Sequence, residues 1–358
     1  MSTPEANTGT KPVAAQHAFD VAALERYLGE HLPGFAGPLA VEQFKGGQSN
    51  PTYKLLTPER AYVMRSKPGP ASKLLPSAHA VDREYRVMTA LAQTDVPVPR
   101  TYCYCDDRSV IGTPFFVMEF LDGRHFWDPA LPELDAPQRG ALWDDMNSVI
   151  ARLHGVDYAA IGLADYGRAG NYFERQIGRW TRQYRASETA RIESMDRLID
   201  WLPRHIIEDD TAAIVHGDFR IDNLIVHRSA PRVIGVLDWE LSTLGHPLAD
   251  FAYHAMAWRL TWTQFRGMAG NDLAALGIPS ERQYVDAYCR RSGRAGIDAN
   301  DWQFCIVFSM FRLAAILQGI AKRAIMGTSA DANAADVGER ARTIADVAWR
   351  EAQARAGS

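Results

Sequence analysis

The segment Ile214–Glu240, IVHGDFRIDNLIVHRSAPRVIGVLDWE, carries three polar side chains whose spacing decides how the whole chain is interpreted. Asp218 is followed five residues later by Asn223, and Asp238 comes fifteen residues after Asn223. Two short apolar runs lie between Asn223 and Asp238, and the segment between the runs contains Ser and Pro, which is typical of a turn. The pattern predicts a β-hairpin. Because a hairpin brings its two ends together, Asn223 and Asp238 are expected to lie close to each other.

The chemistry of these residue types points to metal-dependent phosphoryl transfer. Mg²⁺ prefers hard oxygen ligands and keeps several waters, so the Asp238 carboxylate, the Asn223 amide oxygen and substrate phosphates would satisfy it. Asp218 is then left as a base or a positioning group for an attacking hydroxyl. Arg220 could hold the moving phosphoryl group, since this reaction depends mainly on charge neutralisation. The alternative is a structural loop whose acids cap helices or pair with arginine. Three groups at this spacing between predicted strands favour the phosphotransferase.

The motif HGDFRIDN followed by LDWE resembles the aminoglycoside-phosphotransferase-like branch of the protein-kinase-like fold. The resemblance implies that Asp218 is the catalytic base and that Asn223 and Asp238 bind Mg²⁺. It implies an α+β fold of two lobes, a small antiparallel-sheet N-lobe and a larger, mainly helical C-lobe. This sequence departs from the family twice. Arg220 stands where many members carry His, and Trp239 with Glu240 replaces the Phe-Gly of protein kinases, so hinge-like switching of that segment is not expected.

Composition narrows the class of protein. A chain of 358 residues with 47% hydrophobic residues can form a packed core, ordinarily as two structural units. A formal net charge of −4 argues against a nucleic-acid partner. No run of eighteen apolar residues occurs and residues 1–16 are polar, so neither a membrane span nor a signal peptide is expected. The four cysteines form no paired metal motif, and a cytoplasmic location is expected.

The predicted division has three parts. Residues 1–16 have a small, polar composition that is typical of a flexible tail. Residues 17–121 contain the short strand patterns and one main helix, and they are predicted to form the nucleotide-binding N-lobe. Residues 122–358 turn to helical periodicity and are predicted to form the C-lobe, with the catalytic loop and the substrate site.

A glycine-containing turn between the first predicted strands is a candidate phosphate contact. Glycines allow the backbone to approach phosphates without a Cβ clash, and the polar residues after them could donate hydrogen bonds. A Gly-Gly turn between strands is usually a simple hairpin, so the assignment depends on the rest of the site. The residues assigned to nucleotide binding here are Gly46, Gly47, Gln48, Ser49 and Asn50.

The resemblance assigns four further nucleotide contacts. Arg65, at the end of the third predicted strand, would contact the phosphates, and Glu84 on the next helix would pair with it. The usual cation there is Lys, but a guanidinium also neutralises phosphate and can bind it bidentately. Lys67 is an alternative cation, and a surface ion pair is the ordinary alternative to a nucleotide site. The apolar strand before Asp-Gly resembles the hinge between lobes, where backbone groups near Glu119 and Leu121 would contact the adenine edge.

Three features of the predicted C-lobe have both an ordinary structural interpretation and a possible role at the site; for Asp250 the ordinary one is an acid at a helix N-terminus. Arg175, Arg179 and Arg182 form a basic stripe that is by default a solvated helix face, although it could recruit an anionic substrate. By resemblance, Asp250 braces the catalytic loop. Arg312 lies in a strongly apolar helix and needs a partner, either a core acid or the substrate.

Phrases outside the catalytic loop narrow the resemblance to one subgroup. GGQSNPTY, ERQIGRWTRQY and FRLAAILQGI resemble the kinase-like domain that is fused to some acyl-CoA dehydrogenases. This implies Mg²⁺-dependent transfer of the γ-phosphate of ATP, or of GTP, to a hydroxyl of a small molecule that could be CoA-linked, such as a hydroxyacyl-CoA or a hydroxy acid.

Two alternatives remain open. One is a pseudokinase-like module that binds nucleotide or acyl-CoA and transfers nothing. The other is a kinase for a small amino alcohol or sugar. A cleft rich in carboxylates would favour the amino alcohol or sugar, whereas cations and apolar walls would favour an acyl-CoA.

Overall fold

The computed structural model describes residues 8–45, 50–68, 80–326 and 334–356. The chain divides into two compact units, Met1–Arg124 with Ile234–Glu240, and His125–Val233 with Leu241–Ser358. The segment Ile234–Glu240, expected in the C-lobe, therefore groups with the first unit. Within that unit, the Val236 amide donates to the carbonyl of Pro97 at 2.9 Å, which holds the segment in place.

The first unit is built on an antiparallel six-stranded sheet with the order β1-β2-β3-β4-β6-β5. Its strands are β1 (Thr10–Lys11), β2 (Ala40–Phe44), β3 (Thr52–Leu56), β4 (Ala61–Ser66), β5 (Thr101–Cys105) and β6 (Phe115–Glu119), and a short β7 (Gly123–Arg124) follows. Its helices are α1 (Val21–His31), α2 (Val81–Leu91) and α3 (Arg108–Ile111). Arg65 lies near the end of β4 and pairs in register with Thr52 on β3 and with Phe116 on β6.

The described residues of the segment 1–16, which was expected to be a flexible tail, contain regular structure. Thr10 pairs with Phe44 and Lys11 pairs with Gln43, so β1 extends the sheet beyond β2. The Ala14 amide also donates to the side-chain oxygen of Gln43 at 3.1 Å. Unpaired strand edges readily accept a further strand, and this property of β2 explains why a short polar segment is held here.

The core of the first unit follows from alternation in the strands and helical periodicity in α1. Tyr53 and Leu55 on β3 are buried, and they join Leu24 and Leu28 from α1 in one apolar cluster. Asp20 caps α1 by accepting from the Ala23 amide at 3.0 Å. On α2 the buried residues include an acid, Glu84, among apolar neighbours, so that position requires a charged or polar partner.

The second unit is mainly helical. Its helices are α4 (Ala136–His154), α5 (Tyr172–Ser187), α6 (Glu193–Trp201), α7 (Pro247–Ala255), α8 (Trp262–Phe265), α9 (Leu273–Leu276), α10 (Glu281–Ser292), α11 (Ala299–Ile325) and α12 (Ala334–Ala356). The remaining strands of the chain are β8 (Ala213–Val215), β9 (Leu224–His227), β10 (Val233–Val236) and β11 (Thr243–Gly245), and β8 pairs antiparallel with β11.

Helix α11 is the core helix of the second unit. Among the described residues it is the one helix long and apolar enough to cross a membrane, but 83% of its most apolar window is buried inside the protein. Such burial is typical of a core helix. The helix packs against α5, α7 and α12, and its apolar surface is therefore covered by the unit's own helices.

The two strands predicted around the central turn are present as β9 and β10. The imidazole of His227 accepts hydrogen bonds from the amides of Ser229 at 3.3 Å and Ala230 at 3.1 Å, which closes the turn. The His227 amide donates to the carbonyl of Arg232 at 2.8 Å. The strand β9 therefore begins directly after Asn223, and β10 ends two residues before Asp238.

Candidate active site

The loop that follows β8 carries Asp218, and its backbone requires glycine at the preceding position. Gly217 has a φ of +83°, and a Cβ there would lie 2.8 Å from the carbonyl oxygen of Leu241. Any other residue would be strained by both the backbone angle and the contact. The sequence His-Gly-Asp thus turns sharply out of the strand and presents Asp218 at its end.

Asp250 on α7 braces this loop, as the resemblance implied. Its two carboxylate oxygens accept from the amides of His216 at 2.7 Å and Gly217 at 2.8 Å, and His154 approaches one of them at 3.2 Å. Burial acts to raise the pKa of Asp250, but the hydrogen bonds and charge of His154, His216 and the backbone outweigh it, and the pKa is lowered. Asp250 is therefore a buried carboxylate that fixes the loop backbone.

Arg312 on α11 is the second brace of the loop. Its guanidinium donates to the carbonyl of Gly217 at 2.6 Å and lies over the rings of Tyr253 and Trp180, at 4.9 and 5.5 Å from their centroids. The partner that the sequence required for this arginine is therefore a backbone carbonyl and two aromatic faces, not a core acid.

The Asp218 side chain is 21% exposed, and three side chains contact its carboxylate. Arg220 contacts Oδ1 at 3.0 Å, Asn223 donates to Oδ2 at 2.9 Å, and the hydroxyl of Tyr253 also hydrogen-bonds the carboxylate. Burial and the charge of Asp218 both raise the pKa of Tyr253, so its hydroxyl remains a donor. Asp218 is thus held in one orientation by one ion pair and two hydrogen bonds.

Asn223 is oriented by the same loop. Its amide nitrogen donates to the backbone carbonyl of Asp218 at 2.8 Å as well as to the carboxylate. Because both partners are acceptors, the nitrogen must face them, and the oxygen Oδ1 is the atom left for a cation. The structure thus brings Asp218, Arg220 and Asn223 together. Arg220, however, bonds the acids Asp218 and Asp222, so its predicted contact with a phosphoryl group stays a prediction.

A small pocket of about 40 Å³ lies beside this loop, entirely within the second unit. Its walls are mostly aromatic or apolar, and they are formed by Trp127, Pro129, Trp143, Ile221, Tyr253, Met256, Ala257 and Phe265. The charged residues at the pocket are Arg220, Asp222 and Arg266. Asp222 pairs with both arginines, at 3.0 and 2.8 Å, and Arg220 also contacts Asp218 at 3.0 Å, so two acids balance the two cations.

Within the first unit, Arg65 is surrounded by three carboxylates. It contacts Glu84 at 3.3 Å, Asp238 at 2.7 Å and Glu240 at 3.8 Å. The predicted pair of Arg65 with Glu84 is confirmed. Burial acts to lower the pKa of Arg65, but the three acids raise it overall. Burial raises the pKa of Glu84 to about 7, against the opposing charge of Arg65.

The remaining predicted nucleotide contacts are described only in part. Gly46, Gly47, Gln48 and Ser49 lie outside the described residues. Asn50 is buried and donates from its amide nitrogen to Glu84 at 3.0 Å, which places it in the Arg65 cluster. The Glu119 amide donates to the carbonyl of Arg100 at 2.8 Å. That Asn50, Glu119 and Leu121 contact a nucleotide stays a prediction.

Metal binding was predicted for Asn223 and Asp238. Among the described residues, no group of three or more His, Cys, Asp or Glu side chains could hold a metal ion. One carboxylate and one amide would not form such a group, because Mg²⁺ takes its other ligands from waters and phosphates. The Asp238 side chain is 34% exposed, so a cation can reach its carboxylate, although Arg65 contacts one of its oxygens. Asn223 belongs to the second unit, and joint ligation stays a prediction.

Sequence patterns did not indicate Tyr253 as part of the site. Tyr253 lies three residues after Asp250 on α7, and residues at this spacing share a helix face. Once Asp250 was expected to face the loop, this spacing could have placed Tyr253 there too. No comparable local signal was available for Arg312, which is 95 residues from its partner Gly217.

Comparison with known protein families agrees with this geometry. The sequence profile of the phosphotransferase enzyme family matches residues 40–297. Mouse acyl-CoA dehydrogenase family member 10 is 45% identical over 346 residues, covering 95% of this chain and 32% of that protein. Rat acyl-CoA dehydrogenase family member 11 is 42% identical over 328 residues, covering 89% of this chain and 42% of that protein. The chain thus spans well under half the length of these curated relatives, as the predicted resemblance to one part of them implied.

Solved structures show the same relationship. A crystal structure from Ralstonia eutropha JMP134, described provisionally as an aminoglycoside phosphotransferase, is 56% identical with a TM-score of 0.86, covering 94% of this chain and 99% of that one. A mutant of aminoglycoside phosphotransferase APH(4)-Ia, in complex with ADP and hygromycin B, is 16% identical with a TM-score of 0.59, covering 92% of this chain and 98% of that one. The second similarity shows the fold alone. The predicted α+β, protein-kinase-like fold is therefore confirmed, and the chain belongs to the phosphotransferase enzyme family.

Proposed function

We propose that this protein is a Mg²⁺-dependent phosphotransferase that moves the γ-phosphate of ATP to a hydroxyl of a small molecule. The observation that carries the proposal is the setting of Asp218, a partly exposed carboxylate held by Arg220, Asn223 and Tyr253 on a braced loop. A carboxylate fixed in this way can orient a hydroxyl and accept its proton as the phosphoryl group is transferred.

The nucleotide and the metal are assigned by charge. Mg²⁺ bound to ATP would supply charge neutralisation at the transferring phosphoryl group. Asp238 and the Oδ1 atom of Asn223 are its proposed ligands. In the first unit, the Asp238 carboxylate is partly exposed and offers the hard oxygen that Mg²⁺ prefers. Other members of this fold are described in complex with ADP and AMP-PNP, which supports an adenine nucleotide.

The pocket beside the catalytic loop supports a hydroxyacyl acceptor, such as a hydroxyacyl-CoA, over an amino sugar or amino alcohol. Its walls are largely aromatic and apolar, and Arg220 and Arg266 lie at the pocket beside Asp222. An acyl chain would contact the ring faces and an anionic group would meet arginine, whereas a polar aminoglycoside would find few partners on apolar walls. The names of the curated relatives, which are acyl-CoA dehydrogenase family members, point to the same class.

The test is a screen for ADP release with Mg-ATP and a panel of hydroxyl compounds. The panel should contain hydroxyacyl-CoA thioesters, the free hydroxy acids, an aminoglycoside and small amino alcohols. Stimulation by hydroxyacyl compounds and none by the amines is expected. Stimulation by the amines alone would overturn the acyl assignment and leave the phosphotransferase in place.

One observation favours the alternative of a binding module without transfer. Arg65 is paired with Asp238 at 2.7 Å, so the proposed metal ligand is engaged by a cation of the protein itself. The two functions differ in slow ATP hydrolysis without acceptor. An enzyme should hydrolyse ATP only with Mg²⁺, whereas equal background rates with and without Mg²⁺, together with no product from any acceptor, would favour the binding module.

A further inference from the structure

Two side chains from different helices converge on the Gly217–Asp218 peptide. Arg312 of α11 donates to the Gly217 carbonyl at 2.6 Å, on the peptide unit that leads into Asp218. Tyr253 of α7 hydrogen-bonds the Asp218 carboxylate through its hydroxyl. The two are in contact, because the guanidinium of Arg312 lies 4.9 Å from the centroid of the Tyr253 ring. Backbone and side chain of the proposed base are thus held by one pair of residues.

The guanidinium of Arg312 is buried but is not held in an ordinary ion pair. Arg312 is only 6% exposed, yet within the described part of the chain no carboxylate forms a salt bridge with it. Its charge instead faces a carbonyl oxygen and the rings of Trp180 and Tyr253. A buried cation without an acid is unfavourable unless such contacts compensate it. An apolar residue would fill the same core position without this penalty.

We propose that Arg312 and Tyr253 act as a positioning pair for Asp218. Arg312 fixes the carbonyl of Gly217 and the ring of Tyr253, and Tyr253 in turn fixes the rotamer of the Asp218 carboxylate. The inference rests on the proposed function, in which Asp218 receives the proton of the acceptor hydroxyl. Tyr253 acts through the carboxylate that it hydrogen-bonds, and Arg312 acts through Gly217 and Tyr253 without lining the pocket. Loss of either should therefore slow turnover while leaving the binding of Mg-ATP unchanged.

The first test is Tyr253→Phe, which keeps the ring and removes only the hydroxyl. With Mg-ATP and hydroxyhexanoyl-CoA, kcat should fall by about 10- to 100-fold, the range that small misplacement of a reacting group produces, while the KM for ATP stays unchanged. The matched control is Tyr184→Phe, which removes a buried hydroxyl from α5 that contacts Glu188 and not the catalytic loop. The control should keep wild-type kcat.

The second test is Arg312→Met and Arg312→Lys. Arg312→Met should lower kcat at least as much as Tyr253→Phe, and Arg312→Lys should restore part of it because an ammonium can still donate to Gly217. Hydrogen exchange measured by mass spectrometry should rise in peptides covering 214–220 for Arg312→Met. Lys322→Met is the matched control, since Lys322 lies on the same helix and donates to another backbone carbonyl, that of Ala186, at 2.8 Å. It should change neither kcat nor exchange at 214–220.

The outcomes separate this inference from the proposed function. If Tyr253→Phe turns over at the wild-type rate, the positioning pair is overturned and the proposed phosphotransferase activity stands. A rise in KM for ATP with kcat unchanged would also overturn it. If no acceptor in the panel is phosphorylated by the wild type, the proposed function fails and this inference fails with it. If Arg312→Met does not fold, Tyr253→Phe alone decides.

Discussion

Asp218 is the residue on which the proposed chemistry depends, and its substitution is the most direct test at this scale. Asp218→Ala removes the carboxylate that Arg220, Asn223 and Tyr253 contact, without disturbing the amides that Asp250 holds. We expect kcat to fall by about 100-fold or more, the usual contribution of a general base. The affinity for Mg-ATP, measured by calorimetry, should be retained.

A control for Asp218→Ala is Asp286→Ala, which removes an exposed acid from α10 of the same unit. This variant should keep wild-type turnover. If Asp218→Ala turns over at the wild-type rate, the role assigned to Asp218 is wrong, whatever the acceptor proves to be.

Arg65 is the second decisive residue, because its guanidinium contacts Glu84, Asp238 and Glu240. Arg65→Met would leave Glu84, which is 1% exposed, without its charged partner. Breaking a buried ion pair in this way is expected to cost about 3–5 kcal/mol of unfolding free energy. Arg65→Lys should cost less, since it keeps the charge but cannot reach all three acids.

Urea denaturation at pH 7 measures this effect, and Arg60→Met is the control because Arg60 is an exposed cation in the turn between β3 and β4. A loss of stability in Arg65→Met no larger than that of Arg60→Met would contradict the view that Arg65 neutralises a buried cluster.

At the residue scale, sequence reasoning succeeded where the chemistry was local. The spacing from Asp218 to Asn223 fits within one short turn, so both residues could be placed from the chain itself. Arg65 and Glu84 followed from a resemblance, and their contact at 3.3 Å agrees with it. Tyr253 and Arg312 were not predicted as neighbours of Asp218, since they reach it through tertiary packing that no periodicity records.

At the scale of elements, the loop after β8 depends on the start of α7. His246 caps this helix by accepting from the Leu248 amide at 3.2 Å, and Pro247 occupies its first turn, where a missing N–H is tolerated. Asp250 then reaches back to two loop amides. Asp250→Asn offers one oxygen in place of two, so one buried N–H would lose its acceptor.

We expect Asp250→Asn to lower the unfolding free energy by about 1–3 kcal/mol, the usual penalty for a buried unsatisfied donor, and to lower kcat as well. Denaturation and steady-state kinetics measure the two effects. Asp272→Asn provides the comparison, because Asp272 caps the short exposed helix α9 and Asn is an equally good cap. Equal unfolding free energies and equal kcat values for the two variants would show that the contact of Asp250 with the loop is not needed for stability or turnover.

The strands of the chain show where sequence patterns were sufficient to predict an element and where they were not. The strands around the central turn were predicted because a Ser- and Pro-containing turn separates two apolar runs, and β9 and β10 lie there. The strand β1 was not predicted, because Thr10 and Lys11 are polar and their order comes from pairing with β2. Backbone pairing at a sheet edge is independent of side-chain polarity, so composition gives no signal for it.

At the scale of the whole molecule, buried histidines set an acid limit on stability. Burial lowers the pKa of both His246 and His254 to about 4, from an ordinary value of 6.5. The unfolded chain therefore binds more protons than the folded protein between these values. The stability is fully present above pH 6.5 and is lost as the pH falls towards 4. Each histidine should contribute up to about 3 kcal/mol of that loss.

The prediction is tested by urea denaturation between pH 4 and 7 with His246→Asn. Asparagine keeps the helix cap but does not titrate, so the fall in unfolding free energy should be smaller than in the wild type. His31→Asn replaces an exposed histidine and should leave the profile unchanged. An identical profile for His246→Asn would show that His246 does not limit stability in acid. Asp209 and Asp250, whose pKa values are lowered, add to the acid loss in all variants.

The overall fold could be anticipated because one motif identifies the fold family. The assignment of Ile234–Glu240 to the first unit could not be anticipated in the same way. Composition along the sequence placed the boundary between the two lobes near residue 121. The contacts of Val236 with Pro97 and of Asp238 with Arg65 instead connect segments that are far apart in sequence.

This discontinuity has a consequence for dissecting the protein. A recombinant fragment that stops at Arg124 would be missing the peptide 234–240, and with it the aspartate that Arg65 engages. The isolated fragment should then be soluble only when a synthetic peptide of that sequence is supplied in trans, or when the peptide is grafted onto its C-terminus through a linker. Complementation of this kind would turn the seven residues into a reporter of whether the amino-terminal unit has folded.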